Sequence, residues 1–338
     1  MKNELCLILY TTRGVSVTYI GDLTPISPLT PHGFNYKSLS PRHFSDGQDN
    51  MAFRSRYSRR SRARRAPRRN TRRITRTRRT TRFSRFARRP MTKRRILNAT
   101  SVKKQDNMLA VRTDPTGANP VQGSFLVLGT GAQFLWCASG RDRGADVGAD
   151  PTASSVRERD LVYARGLKES IIMTTNSPAS WRWRRIAFTC KGVPFSSPVD
   201  LETSSGWVRM LRNVAGTAAG TTITSYIFKG AQNVDWQDVF VAKLDTNRVK
   251  VYYDKLRTLS SGNSNGKFFR SKHWFPMNQN LLYANDENGE TETGDTHSTL
   301  GRAGMGDFYV LDFFDCTTLS SSDTLQFQPE ATFYWHEK

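Results

Sequence analysis

The chain has 338 residues and a formal net charge of +22, although only 24% of its residues are charged. The excess is local: Met51–Lys104 holds 20 Arg, 3 Lys and no acid, residues 1–50 are neutral, and residues 105–338 carry 24 basic and 25 acidic side chains. This excludes a protein that is basic throughout and describes a charge-balanced body joined to a polycation.

Residues 1–50 are rich in Pro, Ser and Thr ("LTPISPLTPHGF") and lack sustained periodicity, so no regular structure is expected there. The apolar run "LCLILY", preceded by Glu4, is too short for a signal-peptide core. No run in the chain approaches the ~18–20 apolar residues that cross a bilayer, so no membrane segment is expected. Met51 opens "MAFRSRYSRRSRARR", which reads as a natural start with 1–50 as an upstream extension.

The arm, 51–104, carries Arg54, Arg56, Arg59, Arg60, Arg62, Arg64, Arg65, Arg68, Arg69, Arg72, Arg73, Arg76, Arg78, Arg79, Arg82, Arg85, Arg88 and Arg89. Self-repulsion and the absence of apolar periodicity predict a disordered tail. The choice of Arg over Lys says more, because guanidinium stays ionised, forks onto phosphate oxygens and stacks on bases. These arginines are therefore assigned to nucleic-acid binding, with Phe53, Tyr57, Phe83 and Phe86 available to stack. The basic clusters, together with Lys93, Arg94, Arg95, Lys103 and Lys104, also read as nuclear import signals for host receptors.

The body, 105–338, alternates short apolar runs with turn clusters such as "TDPTGANP", "GRDRGADVGADP" and "NDENGETETGD". Strands are predicted at 124–129, 133–138, 159–166, 169–175, 181–190, 206–213, 221–230, 238–244, 248–255, 267–275, 307–315 and 331–338. Phe333 and Trp335 alternate with Tyr334 and His336, as on a half-buried strand. The pattern predicts an all-β sandwich or barrel.

Catalytic chemistry is not found. "GNSNGKF" has three residues between its glycines and Phe268 after Lys267, so it reads as a hairpin loop and not a P-loop. "GTGAQF" lacks the third glycine of a dinucleotide fingerprint and reads as a turn. The histidines form no HxH or HExxH pair, and His273 is expected to be a partly buried strand residue. In the acidic loop 286–295, Gly289 stands at the fourth position and not the sixth of a calcium loop. Cys6, Cys137, Cys190 and Cys316 are far apart with no CxxC pair, which argues against a disulfide framework or structural zinc and fits a reducing compartment. No cofactor and no enzyme activity are expected.

In "WRWRRIAF" (181–188), Trp181 and Trp183 are expected to fill the core between sheets, with Arg182 and Arg184 pointing the other way. The alternative turns this Arg face, with Arg185, towards nucleic acid or a neighbouring subunit.

An Arg-rich arm before an all-β body is the layout of many small icosahedral capsid proteins. The start "MAFRSRYSRRSRARR", the segment "SPASWRWRRIAFTCKG" and the run from Val249 to Tyr283 resemble capsid proteins of small circular single-stranded DNA viruses, the genomoviruses of gemycircularvirus type in particular. The resemblance covers roughly residues 51–338. It implies an eight-stranded, two-sheet jelly roll, self-assembly into a sixty-subunit shell, a single-stranded DNA genome as partner, and location in the virion and host nucleus. Sixty arms of this charge would supply about 1,400 positive charges, enough for on the order of 1.4 kb of single-stranded DNA. Physical reasoning from residues leaves a small RNA virus capsid, or a cellular nuclear RNA-binding protein with a basic tail, as alternatives.

Overall fold

The structure is a computed structural model that describes residues 6–11, 14–19, 91–144, 148–192, 194–195 and 198–338. The arginines from Arg54 to Arg89 and the aromatics among them lie outside the described residues, as does most of 1–50. The chain divides into two units, Met1–Arg82 and Phe83–Lys338.

In the first unit, β1 (Cys6–Thr11) and β2 (Gly14–Tyr19) pair antiparallel, from Cys6↔Tyr19 to Thr11↔Gly14. The expectation of no regular structure in 1–50 fails here. "CLILYT" and "GVSVTY" are six-residue runs of apolar, β-branched and aromatic residues, as long as the runs that signal strands in the body, and they suit a ladder once paired.

The second unit opens with helix α1 (Lys93–Thr100), where the Thr92 hydroxyl accepts a hydrogen bond from the Arg95 N–H at 3.4 Å. There follow β3 (Val102–Met108), β4 (Ala110–Thr113), β5 (Val121–Gln122), β6 (Phe125–Leu128), β7 (Ala132–Cys137), β8 (Leu161–Thr175) and β9 (Trp181–Cys190). Then come β10 (Glu202–Thr203), β11 (Gly206–Trp207), β12 (Arg209–Arg212), α2 (Ala218–Ile227), β13 (Lys250–Leu259) and β14 (Phe268–Leu282). The hairpin β15 (Asp286–Asn288) and β16 (Thr291–Thr293), then β17 (Asp307–Cys316) and β18 (Thr324–Glu337), complete the unit.

Two antiparallel sheets carry the architecture. One runs β14-β8-β18-β3, with β6 also pairing β18; the other runs β13-β9-β17-β7. Numbered along the chain, the eight principal strands fall in the orders 1-8-3-6 and 2-7-4-5. This is the double Greek key of an eight-stranded jelly roll, the expected fold class. Between the sheets, Ile171 and Met173 of β8 and Leu325 and Phe327 of β18 meet Trp181 and Trp183 of β9. The Trp pair therefore fills the core.

The second sheet is buried on both faces. Ile186, Phe188, Leu311 and Phe313 point away from the first sheet and pack against Ile223, Ile227, Phe228, Phe240 and Leu244 of the long β9–β13 connection. That is why β9 and β17 are buried along almost their whole length, their charged residues included.

Several sequence expectations change. Residues 221–230, predicted as a strand, belong mostly to helix α2, because Gly220, Ile223, Thr224 and Ile227 recur at helical spacing on its buried side. Its β-branched threonines are accommodated by hydroxyls that donate back to carbonyls, Thr222 to Ala218 at 3.0 Å and Thr224 to Thr221 at 3.0 Å. Residues 238–244 form no strand; Phe240, Ala242 and Leu244 anchor an irregular segment in the core. The runs 159–166 and 169–175 join into β8, with a bulge where Tyr334 pairs Gly166 and Trp335 pairs Ala164. The loop 262–267 is no hairpin: it carries the chain from β13 in one sheet to β14 in the other. Strand β3 was missed, since it straddles the assumed boundary between arm and body at 104/105 and its polar and charged residues hid an alternating burial pattern.

Candidate nucleic-acid interface

Beneath the surface, a charged cluster ties the sheets together. Glu169 of β8 pairs with Arg185 of β9 at 2.8 Å and with Arg209 of β12 at 3.3 Å. Asp312 of β17 pairs with Arg185 at 2.7 Å and Arg209 at 3.0 Å, and accepts from the Trp183 indole N–H at 2.8 Å. All four charged side chains are at most 1% exposed. Two cations balance two anions, which is the condition under which such groups tolerate burial. Burial alone would raise the Asp312 carboxyl pKa; the charge and hydrogen bonds of Arg185, with Arg209, offset this and hold it below the usual range. His273, on the neighbouring β14, is buried as expected and shares a 2.8 Å hydrogen bond with Ser271. Burial, then the charges of Arg185 and Arg257, lower its pKa to about 4.

Arg185 thus points between the sheets, on the same side as Trp181 and Trp183, and not with Arg182 and Arg184. The alternation of side chains along a strand requires this. Arg184 forks onto Asp254 at 2.8 and 2.9 Å, and Arg182 pairs with Asp238 at 3.0 Å and with Asp315. With all three neutralised by carboxylates of the same chain, the alternative reading of an Arg face aimed at nucleic acid does not hold for β9.

The predicted import residues divide. Lys93 and Arg95 are exposed on α1, and the side chain of Arg94 lies outside the described residues. Lys103 is exposed and donates to the carbonyls of Asn98 and Ser101 at 2.8 and 3.2 Å, fixing the end of α1. Lys104 is buried: it pairs with Glu337 at 3.5 Å and donates to the Pro151 and Val156 carbonyls at 3.1 and 2.7 Å. It is a structural cation of β3, out of reach of a receptor while the body is folded.

Sequence reasoning missed the outer face of the β14-β8-β18-β3 sheet. Residues facing inward on these strands are buried, and those between them project outward. The outward charged residues are Lys103, Arg165, Lys168, Arg270, Lys272 and a single carboxylate, Glu330. Lys168, Arg270 and Lys272 have no ion-pair partner among the described residues. Trp274 is 49% exposed in their midst. The signal in the sequence was the alternation Phe268, Arg270, Lys272, Trp274 along β14, legible only once the inward side is known.

Among the described residues no group of three or more His, Cys, Asp or Glu is placed to hold a metal ion, and no described helix is long and apolar enough to cross a membrane. Cys137, Cys190 and Cys316 are buried free thiols, that of Cys190 pushed up to about 12 by burial and then by Asp307.

No family model and no curated protein matches the chain. Among solved structures, VP1 of Trichodysplasia spinulosa-associated polyomavirus is similar at 7% identity and a TM-score of 0.14, over 71% of this chain and 95% of that one. The same VP1 in complex with 3'-sialyllactose gives 9% identity and a TM-score of 0.13, over 70% of this chain and 93% of that one. At such values the assignment of the jelly roll rests on the strand order.

Proposed function

We propose that the chain is a structural capsid protein whose jelly-roll body builds an icosahedral shell and whose arm condenses a single-stranded DNA genome. The observation that carries this reading is the covalent joining of an acid-free segment with 20 Arg and one Lys, residues 51–101, to the edge strand of a jelly roll whose own charge is nearly balanced. The arm binds phosphates by counterion release without reading sequence, which suits a genome-length partner. A nuclease reading lacks the clustered acids or histidines it needs among the described residues. DNA as cargo, a sixty-subunit shell and nuclear entry are supported by the resemblance to genomovirus capsid proteins. In the nuclear role, the exposed Lys93 and Arg95 and the arginine clusters of the arm serve as import signals.

Electron microscopy of the expressed full chain, with nuclease-resistant nucleic acid then extracted and typed, tests the proposal. The expected result is isometric shells holding single-stranded DNA, with deletion of 51–90 leaving a folded body that no longer packages it. A monomer that forms no particles would refute the capsid role. Resistant RNA in place of DNA would refute the cargo.

A further inference from the structure

The basic sheet face described above has a second property: it holds aromatic rings in the open. Trp274 of β14 lies across the sheet over Gly166 of β8, where any Cβ would come within 2.8–2.9 Å of the indole. Its cross-strand neighbour is Lys168, and Lys272 precedes it on the same face of β14. Tyr334 of β18 meets the indole edge-on at 5.8 Å. In the next row, Tyr163 pairs with His336 and their rings stand 6.0 Å apart, with Lys103 opposite His336 on β3. Lys103, Arg165, Trp274, Tyr334 and His336 line a shallow groove of about 440 Å³.

A half-exposed tryptophan ringed by cations suits few ligands. An apolar partner would leave five cations facing one carboxylate without counter-charge, and a simple anion would leave the rings unused. Nucleic acid satisfies both, with phosphates on the Lys and Arg heads and bases on the ring faces. A duplex hides its base faces within the stack, whereas a single strand presents them. The His336 imidazole is held below its usual range by burial and then by the charges of Lys103 and Arg165, so it adds no charge of its own to the groove at neutral pH. Along the sequence the arm leads directly into this sheet: Arg89 lies thirteen residues before Val102, the first residue of edge strand β3.

We infer that the outer face of the β14-β8-β18-β3 sheet is a stacking platform for single-stranded nucleic acid, centred on Trp274 and Tyr334 with Lys103, Arg165, Lys168, Arg270 and Lys272 as phosphate contacts. It deepens the proposed function by giving the packaged strand a second, ordered contact on the folded body. The arm gathers nucleic acid without geometry; the platform holds a few nucleotides in a fixed one.

Photo-crosslinking of the full chain to bromodeoxyuridine and bromouridine oligomers of about 20 nucleotides, with the sites mapped by mass spectrometry, tests this. Crosslinks are expected at Trp274 and Tyr334 as well as in the arm, and crosslinking by either the DNA or the RNA oligomer supports the platform. Trp274→Ala should lower the yield at Tyr334 about tenfold, while Trp274→Phe, which keeps a ring, retains most of it. In Lys168→Glu/Lys272→Glu, two exposed positions, the slope of log affinity against log salt should fall by about 1.4, at about 0.7 per phosphate contact. Crosslinks confined to the arm would overturn the inference. So would protein–protein crosslinks placing Trp274 against a neighbouring subunit in assembled particles, which would make the face a subunit contact. Platform crosslinks in a chain that never forms shells would support this inference and sink the capsid reading; shells whose sheet face gives no crosslink would do the reverse.

Discussion

Replacing Asp312 by Asn isolates the role of the charge quartet between the sheets. The carboxylate receives Arg185 at 2.7 and 2.8 Å, Arg209 at 3.0 Å and the Trp183 N–H at 2.8 Å. Asn keeps the shape and can still accept from Trp183, but the quartet passes from neutral to a net charge of +1 in a fully buried site. Removing one partner of a buried pair typically costs about 3–5 kcal/mol, because the remaining charge is left uncompensated. For a body of this size, with melting shifts of about 2–4 °C per kcal/mol, the midpoint should fall by roughly 10 °C. Urea and thermal unfolding of the unassembled chain provide the measurement. A second variant, Asp312→Asn with Arg185→Met, restores neutrality between Glu169 and Arg209 and should recover about 1–3 kcal/mol of the loss. An Asp312→Asn midpoint equivalent to less than about 0.5 kcal/mol, or strict additivity in the double variant, would refute a coupled, charge-balanced cluster.

His273 gives the body a pH dependence of known sign. Its folded pKa of about 4 lies below the unfolded value of about 6.5, so the unfolded chain binds a proton that the folded chain refuses. Stability is full above pH ~6.5 and falls as pH drops towards 4, by up to about 3 kcal/mol, and His273→Gln should flatten that slope; an unchanged profile would show that the imidazole is not responsible. Asp312, held below its usual range, adds a loss only at still lower pH, as the carboxylate protonates. Gly166→Ala places a Cβ 2.6 Å from the Phe275 carbonyl oxygen and 2.8 Å from the Trp274 ring, so it should destabilise by about 1–3 kcal/mol in urea unfolding; an unchanged midpoint would mean that the two strands do not approach so closely.

The sequence by itself determined the separation of charge and the all-β character of the body. An acid-free, arginine-rich segment is visible without coordinates, because its chemistry depends on composition and not on contacts. Period-2 alternation at Phe333 to His336 likewise declares a half-buried strand. The tertiary structure decided which face each residue meets. Arg182, Arg184 and Arg185 are adjacent and alike in sequence, yet two are matched to surface carboxylates and one is sealed between sheets, because their partners Asp254, Asp315 and Asp312 arrive from strands more than 60 residues away. The threonines of 221–225 look like a strand until a buried side forms against the second sheet and favours the helix. Lys103 and Lys104 read as one basic pair, and only the pleat of β3 sends one outward to the groove and the other inward to Glu337. The platform around Trp274 was hidden for the same reason: its cations come from three strands scattered between residues 103 and 272, and pairing in one sheet is what makes them neighbours.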